Sequence, residues 1–477
     1  MGIDIDLSKK EQELCEHLTN PKTIPPYEIQ PELRNVLRTY QKNGYNWLRY
    51  LFENKLGGCL ADDMGLGKTL QTIAFLDSII DKVKRVLIIC PISILINWEK
   101  EFQKFSSLSV HILYGEKRNI PEDKKIIITS YGILRREFNE YLKKFFFDIV
   151  VLDEVQQVKN IKSLGAFAAR KIKTNFRLCL TGTPVENNIT EFYNIIDLCM
   201  PGIWGNLLSG GSESTKKSRL IAKEIASPFI LRRTKNQVLL DLPKKIENNI
   251  FLPFSDIEKG HYDNLKESVK KDILNSNSQK RFGKILTSIL KLRQSCLLGH
   301  LNKKIESTKA SFLIHSLTQI IKEGHQSLIF SQFTTYLDYL ESYIQKHGWT
   351  YSRIDGTQNY KRRQLEVDKF QEGKSEVFLI SLKAGGFGLN LTAASYIFLM
   401  DPWWNPAIEN QAIDRAHRIG QKNTLTIYRP IIKNSIEEKV LALQETKREL
   451  FKDLLPDDRD QSFSSKMSLD DLENLLI

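Results

Sequence analysis

Three short strings in this chain carry residues that can do chemistry, and their order narrows what that chemistry is. Asp62-Asp63-Met64-Gly65-Leu66-Gly67-Lys68-Thr69 has the make-up of a phosphate cradle. Gly65 and Gly67 free the backbone to bring N–H groups to phosphate oxygens, with Asp63, Met64 and Leu66 completing the loop. Lys68 can reach the β and γ phosphates and Thr69 can ligate magnesium, while Asp62 stands where the generic pattern has its first glycine. Asp153-Glu154 closes the apolar run Ile149-Val150-Val151-Leu152. Asp153 is therefore expected at a strand tip, available to magnesium, with Glu154 beside it able to orient or deprotonate an attacking water. Arg415 and Arg418, in Asp414-Arg415-Ala416-His417-Arg418-Ile419-Gly420-Gln421, lie one helical turn apart and are expected to share a face. From there they can neutralise charge on a transferring γ-phosphoryl group. Taken singly, the acidic pair also reads as a solvent-facing turn, and the arginines as partners of nearby carboxylates. Taken together, the strings describe a nucleotide-hydrolysing site divided between two halves of one chain.

Such a site needs strand tips to hold it. Val86-Leu87-Ile88-Ile89-Cys90, Ile126-Ile127-Ile128-Thr129, the run ending at Leu152 and Leu178-Cys179-Leu180-Thr181 read as buried parallel strands alternating with helical patterns. Each ends in Pro, Gly, Ser or carboxylate residues, where doubly wound sheets place their ligands. The alternation stops near Asn187. Residues 190–230 and 245–300 have helical periodicity and many Lys and Arg, with Leu208-Ser209-Gly210-Gly211-Ser212 as a break. Strand character returns in Ser327-Leu328-Ile329-Phe330-Ser331, Val377-Phe378-Leu379-Ile380-Ser381, Ile397-Phe398-Leu399-Met400 and Leu425-Thr426-Ile427-Tyr428. The expected fold class is α/β: two doubly wound parallel-sheet lobes with helical insertions. The expected boundaries are a polar leader over 1–30, an ATP-binding lobe one with a helical protrusion over 31–240, and a helical insertion and linker over 241–305. Lobe two with a brace helix follows over 306–455, and an acidic tail over 456–477.

With 477 residues and 41% hydrophobic content the chain has material for two or more cores. Its 69 Lys+Arg against 57 Asp+Glu leave a net charge of +12, which suits a polyanionic partner and equally a basic soluble enzyme. Six cysteines with no Cys-x-x-Cys pair argue against a zinc site or disulfide framework and fit a reducing compartment. The first residues lack a hydrophobic signal core, Asp6 spoils a myristoylation pattern, and no apolar run approaches bilayer length. The expected location is cytosolic or nuclear, with no membrane partner.

In this order, the strings resemble the SWI/SNF-type ATPases of helicase superfamily 2, and in particular the C-terminal motor core of bacterial members. The likeness runs from Leu37 to about Lys447. Leu37-Arg38-Thr39-Tyr40-Gln41, with Gly44 and Trp47-Leu48, resembles the family's adenine-reading segment. Pro91-Ile92-Ser93-Ile94-Leu95-Ile96-Asn97-Trp98 and Thr181-Gly182-Thr183-Pro184-Val185-Glu186-Asn187 resemble further lobe-one motifs, and Leu231-Arg232-Arg233-Thr234-Lys235 with Asp241-Leu242-Pro243 resembles the family's hinge-side signature. Phe330-Ser331-Gln332-Phe333, Arg353-Ile354-Asp355-Gly356-Thr357, the Ser381 to Thr392 string and Asp401-Pro402-Trp403-Trp404-Asn405-Pro406 do so in lobe two, the last being the most family-specific.

The resemblance implies RecA-like lobes, ATP with Mg2+, Gln41 as a base contact, and Gly386 beside the arginines on the nucleotide. It also implies double-stranded DNA as the track, followed along its phosphates without strand separation. Candidate backbone contacts are Asn97, Trp98, Thr129 and Ser130 in lobe one and Gln332, Lys383, Gly385 and Trp404 in lobe two, with the two tryptophans bracing the loop that leads to the arginines. Readout of base sequence is not expected, because phosphate contacts position without specifying.

The sequence departs from the family twice. The acidic box reads Asp153-Glu154-Val155-Gln156, where many members carry histidine last. A glutamine cannot titrate, so coupling to Thr181-Gly182-Thr183 is expected to differ while hydrolysis survives. Leu292-Arg293-Gln294-Ser295-Cys296 continues as Leu297-Leu298-Gly299-His300 instead of ending Cys-His-Pro, a local remodelling of the insertion.

The expected function is an ATP-dependent duplex-DNA translocase that displaces or remodels DNA-bound proteins, working as a monomeric motor. The alternatives are a strand-separating helicase and the motor subunit of a restriction or phage-defence complex. A non-hydrolysing binding module is disfavoured by the intact Lys68, Thr69, Asp153, Glu154, Arg415 and Arg418. No reader domain is legible, so targeting is expected from a partner subunit, from the insertion or from a missing N-terminal part. A bacterial, nucleoid-associated setting is preferred, a nuclear one if the source is eukaryotic. The acidic tail reads as a solvated terminus, with folding back on a basic surface as the alternative.

Overall fold

The computed structural model describes residues 8–115, 119–158, 160–182, 189–204, 216–239, 242–274, 278–298, 307–358, 360–382, 389–403 and 406–442. It divides into two units, Met1–Leu240 and Asp241–Ile477.

Among its described residues the first unit has seven strands: β1 (Gly58–Leu60), β2 (Val86–Cys90), β3 (Val110–Leu113), β4 (Ile126–Ser130), β5 (Phe146–Asp153), β6 (Lys173–Leu180) and β7 (Ile230–Leu231). They form one sheet in the order β3-β4-β2-β5-β6-β1-β7, with every pairing parallel. β2 and β4 are buried at every position, as expected of central strands covered by helices on both faces. The branched residues Val86, Ile88, Ile89 and Ile126 to Ile128 supply that burial. The helix Thr39–Glu53 runs ahead of β1, and Lys68–Ile79 and Leu95–Phe105 follow β1 and β2.

The polar leader is more structured than its composition suggests. Lys9–Thr19 is a helix closed at its start by a reciprocal Ser8–Glu11 capping box. It buries none of its own residues, yet the His17 ring meets Tyr50 edge-on at 5.3 Å, so this helix lies against the Thr39–Glu53 helix.

Among its described residues the second unit has six strands: β8 (Lys245–Leu252), β9 (Ser327–Ser331), β10 (Tyr351–Ile354), β11 (Val377–Ser381), β12 (Tyr396–Leu399) and β13 (Leu425–Ile432). Their order is β10-β11-β9-β12-β13-β8, again parallel throughout. The two parallel sheets bear out the α/β expectation. β8 corrects one part of it, because residues 245–252 have a sheet edge for their structure and not a helix. Lys245 and Glu247 are charged positions on an outermost strand, a composition that protects an edge and hides its strand character from periodicity. The helical insertion proper begins at Asp256–Leu274 and continues as Ser278–Leu298. Tyr262, Val269, Ile285, Ile289, Leu292 and Cys296 of these helices pack with Ile432, Ile436 and Val440.

Cys59, Cys90, Cys179, Cys199 and Cys296 are buried and unbridged, and Cys15 is exposed. Burial pushes the thiols of Cys90, Cys199 and Cys296 well above their ordinary range, the behaviour of small core residues. Among the described residues, no helix is long and apolar enough to cross a membrane.

Candidate nucleotide site and phosphate-contact loops

Sheet register puts the first two chemical strings at one edge. Asp153 of β5 pairs with Leu180 of β6, and Leu180 pairs with Leu60 of β1. The N–H of Thr181 donates to the Leu60 carbonyl at 3.2 Å. The acidic pair, the Thr181 turn and the loop that starts at Ala61 therefore leave the sheet side by side.

The loop from Asp62 to Gly67 leads directly into the helix Lys68–Ile79, whose N-terminus favours anions. Gly65 and Gly67 have φ of 87° and 77°, the left-handed region that side chains avoid. At Gly67 space forbids a side chain as well, since a Cβ would lie 2.4 Å from Gln41 Nε2. That Gln41 amide donates to the Leu66 carbonyl at 3.1 Å, and its Oε1 accepts from the Arg38 N–H at 2.9 Å. The Tyr40 hydroxyl donates to the same Leu66 carbonyl at 3.0 Å. The segment read as an adenine contact is thus fastened to the phosphate loop. Lys68 Nζ donates to the Asp62 carbonyl at 2.6 Å and reaches the Asp63 carbonyl at 3.4 Å.

Asp153 is buried and held from three sides. Trp98 Nε1 donates to its Oδ2 at 2.9 Å, the Glu154 N–H to its Oδ1 at 2.9 Å, and the Tyr131 hydroxyl to its carbonyl at 2.8 Å. Burial, then the neighbouring Glu154 charge, pushes its carboxyl up to about 7, against the Trp98 hydrogen bond and the Lys68 charge, which pull it down. A carboxylate so disfavoured is one that a hard cation would restore to its charged form. Two oxygen donors, Asp153 and the half-buried Thr69, make a donor set suited to magnesium.

Among the described residues, Glu154 is one of three non-glycine residues with positive φ, at 49°. This conformation costs of order 1–3 kcal/mol and persists where surroundings enforce it. Its Oε2 accepts from Gln156 Nε2 at 2.6 Å, and Gln156 Oε1 accepts from the Thr181 hydroxyl at 3.1 Å. The glutamine therefore bridges Glu154 to the turn after β6 by donating at one end and accepting at the other. Gln156→Ala is expected to lower kcat for ATP about tenfold with little change in KM, because it frees the Glu154 side chain without touching the phosphate loop. Gln156→His, which can span the same gap, is expected to recover most of the rate in the same steady-state assay. An unchanged kcat in Gln156→Ala would show that the bridge carries no catalytic weight.

Trp98, Thr129 and Ser130, read as DNA contacts, have partners within the first unit. Trp98 is wholly enclosed and serves Asp153. Thr129 is equally enclosed, its hydroxyl donating to the Leu113 carbonyl at 2.9 Å. Ser130 caps the helix Tyr131–Glu137 through the Ile133 N–H. Asn97 is half-buried, its amide on Glu101 at 3.0 Å.

In the second unit, Gln332 and the Asp401-Pro402 turn are fixed to one another. The fully buried Asp401 accepts from the Gln332 N–H at 3.1 Å and from the Ser331 hydroxyl. Burial pushes its carboxyl up, with Arg293 next in weight and pulling the other way. Arg293, buried in the helix Ser278–Leu298, donates to the Pro402 carbonyl and reaches Gln332 Oε1 at 3.4 Å. Beside them Lys309 donates to the Met400 carbonyl and to Glu437, both at 2.7 Å, in a pair with no solvent exposure. Losing either member of a pair buried this way leaves an uncompensated charge. Through Arg293 the Leu292 to Cys296 segment thus braces the loop that was read as most family-specific.

The arginine pair departs from the expected geometry. The preceding helix ends at Ile413, and residues 414–420 are turns and bends, so the shared helical face does not form. Arg415 is 6% exposed and its carbonyl accepts from the Leu391 N–H at 3.0 Å, whereas Arg418 is half-buried. Lys383, Gly385, Gly386, Trp404 and the acidic tail lie outside the described residues.

Sequence reading quoted Arg233 and Arg293 within longer strings and gave neither its organising role. For Arg233 a signal existed: a carboxylate at the first-glycine position of a phosphate loop needs a cation if it is to be buried.

A phosphate loop after the first strand of a parallel sheet, with an acidic pair two strands away and a second parallel-sheet unit downstream, defines a P-loop protein of helicase-like architecture. The SNF2-related domain matches residues 40–299, more than half the chain, and the Helicase conserved C-terminal domain matches 308–420, so the chain belongs to the SWI/SNF (SNF2) family. It is 40% identical over 442 residues to an uncharacterized ATP-dependent helicase of Mycoplasma genitalium, covering 89% of this chain and 43% of that protein. It is 34% identical over 504 residues to YwqA of Bacillus subtilis, named as a candidate ATP-dependent helicase/translocase, covering 99% and 54%. It is 38% identical over 445 residues to the ISWI chromatin-remodeling complex ATPase ISW2 of Saccharomyces cerevisiae, covering 85% and 40%. The chain spans about half the length, or less, of these relatives. The family resemblance expected from the motifs is thereby borne out.

Proposed function

We propose that this chain is an ATP-hydrolysing motor that tracks along duplex DNA by its phosphates and displaces or remodels proteins bound there. The observation that carries the hydrolytic part is the Asp153–Glu154 tip beside a loop already shaped for phosphates. The carboxyl at that tip is pushed up to about 7 by burial and by its neighbour, within electrostatic reach of Lys68. Thr69 and Asp153 would hold Mg2+, which supplies charge neutralisation for the β and γ phosphates. Lys68 leaves the loop carbonyls for the phosphates, Gln41 faces the base, and Glu154 orients water under the control of Gln156. Arg415 and Arg418, with Gly386, are the further residues proposed to neutralise charge on the transferring phosphoryl group.

The duplex track is supported by the net charge of +12 and by family membership. It is supported too by relatives named as a candidate translocase and as a chromatin-remodeling ATPase. Candidate phosphate contacts are Asn97 and Gln332, with Lys383, Gly385 and Trp404; a separate targeting subunit would direct the motor. Six free cysteines suit a reducing compartment, the cytoplasm of a bacterium or the nucleus of a eukaryote.

Steady-state ATP hydrolysis tests the reading, measured alone and with duplex DNA, single-stranded DNA or RNA at two salt concentrations. Stimulation of about tenfold or more by duplex, falling as salt rises, is the expected result. Equal or greater stimulation by single strands would replace it with a strand-separating helicase.

A further inference from the structure

The first-glycine position of the phosphate loop holds Asp62, whose side chain has no solvent exposure. A buried carboxylate needs both a countercharge and hydrogen bonds. Arg233 supplies both from 171 residues away: its Nε donates to Asp62 Oδ1 at 2.9 Å and its Nη2 to Asp62 Oδ2. The same guanidinium donates to Gln71 Oε1 at 2.7 Å and to the Tyr40 carbonyl, and lies over the Tyr40 ring at 5.2 Å. Gln71 in turn donates to Asp62 Oδ2 at 3.2 Å and reaches the Gly67 carbonyl at 3.3 Å.

The main chain repeats the connection. The Ala61 N–H donates to the Leu231 carbonyl at 2.8 Å, and the Asp63 N–H to the Arg233 carbonyl at 3.0 Å. The Lys235 N–H donates back to Asp63 Oδ2 at 2.9 Å. Gly44 leaves room for this arrangement, since a Cβ there would stand 1.9 Å from Gln71 Oε1 and 2.8 Å from Arg233 Nη2.

We infer that Arg233 is a positioning residue for nucleotide binding: it fastens the adenine-side Tyr40, the phosphate loop at Asp62 and the loop helix at Gln71 into one shape. A glycine at position 62 would leave the loop free to take that shape alone. The aspartate instead makes the loop depend on residues 230–235, near the end of the first unit. Movement of that segment is transmitted to the phosphate loop through the Asp62–Arg233 fork. Lysine cannot replace it, because a single ammonium has no rigid fork to hold two carboxylate oxygens and the Gln71 amide together.

The inference rests on the nucleotide reading of the loop, and the test separates the two. Equilibrium binding of a fluorescent ATP analogue, steady-state kinetics and thermal unfolding are measured on wild type, Arg233→Lys and Gly44→Ala. Arg233→Lys keeps a cation beside Asp62, and Gly44→Ala leaves both charges in place while displacing Gln71. Both variants are expected to bind the analogue about tenfold more weakly, with KM for ATP raised in step. Their kcat at saturation is expected within about threefold of wild type and their Tm close to it. Wild-type affinity in both variants, or weakening only in proportion to lost Tm, overturns the positioning role and leaves the nucleotide site standing. Failure of wild type itself to bind the analogue overturns the nucleotide reading and this inference with it.

Discussion

Lys68→Ala is expected to remove ATP turnover, lowering kcat by about 10²–10³ and weakening ATP binding, with the fold intact. The catalytic loss follows from taking away a preorganised cation aimed at phosphate charge, an effect of about that size where water is excluded. The intact fold follows from what Lys68 does in the protein without nucleotide. Among the described residues its ammonium donates to the carbonyls of Asp62 and Asp63, it is half-buried, and alanine is a better helix former at the first position of Lys68–Ile79. The loop keeps its other restraints, namely Gln41 and Tyr40 on the Leu66 carbonyl and Arg233 on Asp62. Phosphate release at saturating ATP and duplex, read beside Tm, checks both halves. Turnover at the wild-type rate by a clean preparation of the variant would remove the phosphate-loop assignment.

How far the site could be read from sequence depended on whether its parts were local. Gly65, Gly67, Lys68 and Thr69 announce themselves because a phosphate cradle is built from consecutive residues, and Asp153 because an apolar run of strand length ends on it. The long runs around Ile88, Ile127, Val150 and Leu178 were legible as strands for the same reason. β1, β3 and β7 were not, being three, four and two residues long with no repeat to detect. Partners separated in sequence were invisible. Trp98 finds Asp153 across 55 residues because β2 lies beside β5, and Arg233 finds Asp62 across 171 because β7 closes the sheet beside β1. A tryptophan following a strand reads as a surface contact until sheet order encloses it. The arginine segment failed differently: i, i+3 spacing suggests a helical face, yet the helix ends at Ile413 and local turns carry both side chains. The relay at Gln156 lay between these cases. Its residue was singled out as a departure, but only the geometry showed that an amide, having a donor and an acceptor, can link Glu154 to Thr181.

Those turns bear on the second large effect. Arg418→Ala is expected to lower the duplex-stimulated kcat about 10³-fold, leaving KM for ATP and affinity for duplex within about threefold. Of the two arginines, Arg418 is the one proposed to act on the nucleotide. It is half-buried on a turn, whereas Arg415 is 6% exposed and sits where its backbone anchors Leu391. Arg415→Ala is therefore the variant that should lose stability, by disturbing the packing of the turn, and Arg418→Ala the one that should lose chemistry alone. The turn itself is rigid enough to aim a side chain. Buried Gln421 donates to the Ala394 carbonyl at 2.8 Å and to the Ala416 carbonyl at 3.2 Å, and His417 Nε2 bonds the Pro243 carbonyl at 2.9 Å. A cation aimed at charge that develops only during phosphoryl transfer lowers kcat when removed and spares ground-state binding, which is why the split between kcat and KM is the diagnostic. Single-turnover hydrolysis with saturating duplex, paired with duplex binding measured by anisotropy, makes the distinction. Lost duplex affinity in Arg418→Ala would move the residue to the DNA track, and an unaltered rate would leave the transferring phosphate to be neutralised by the first unit alone.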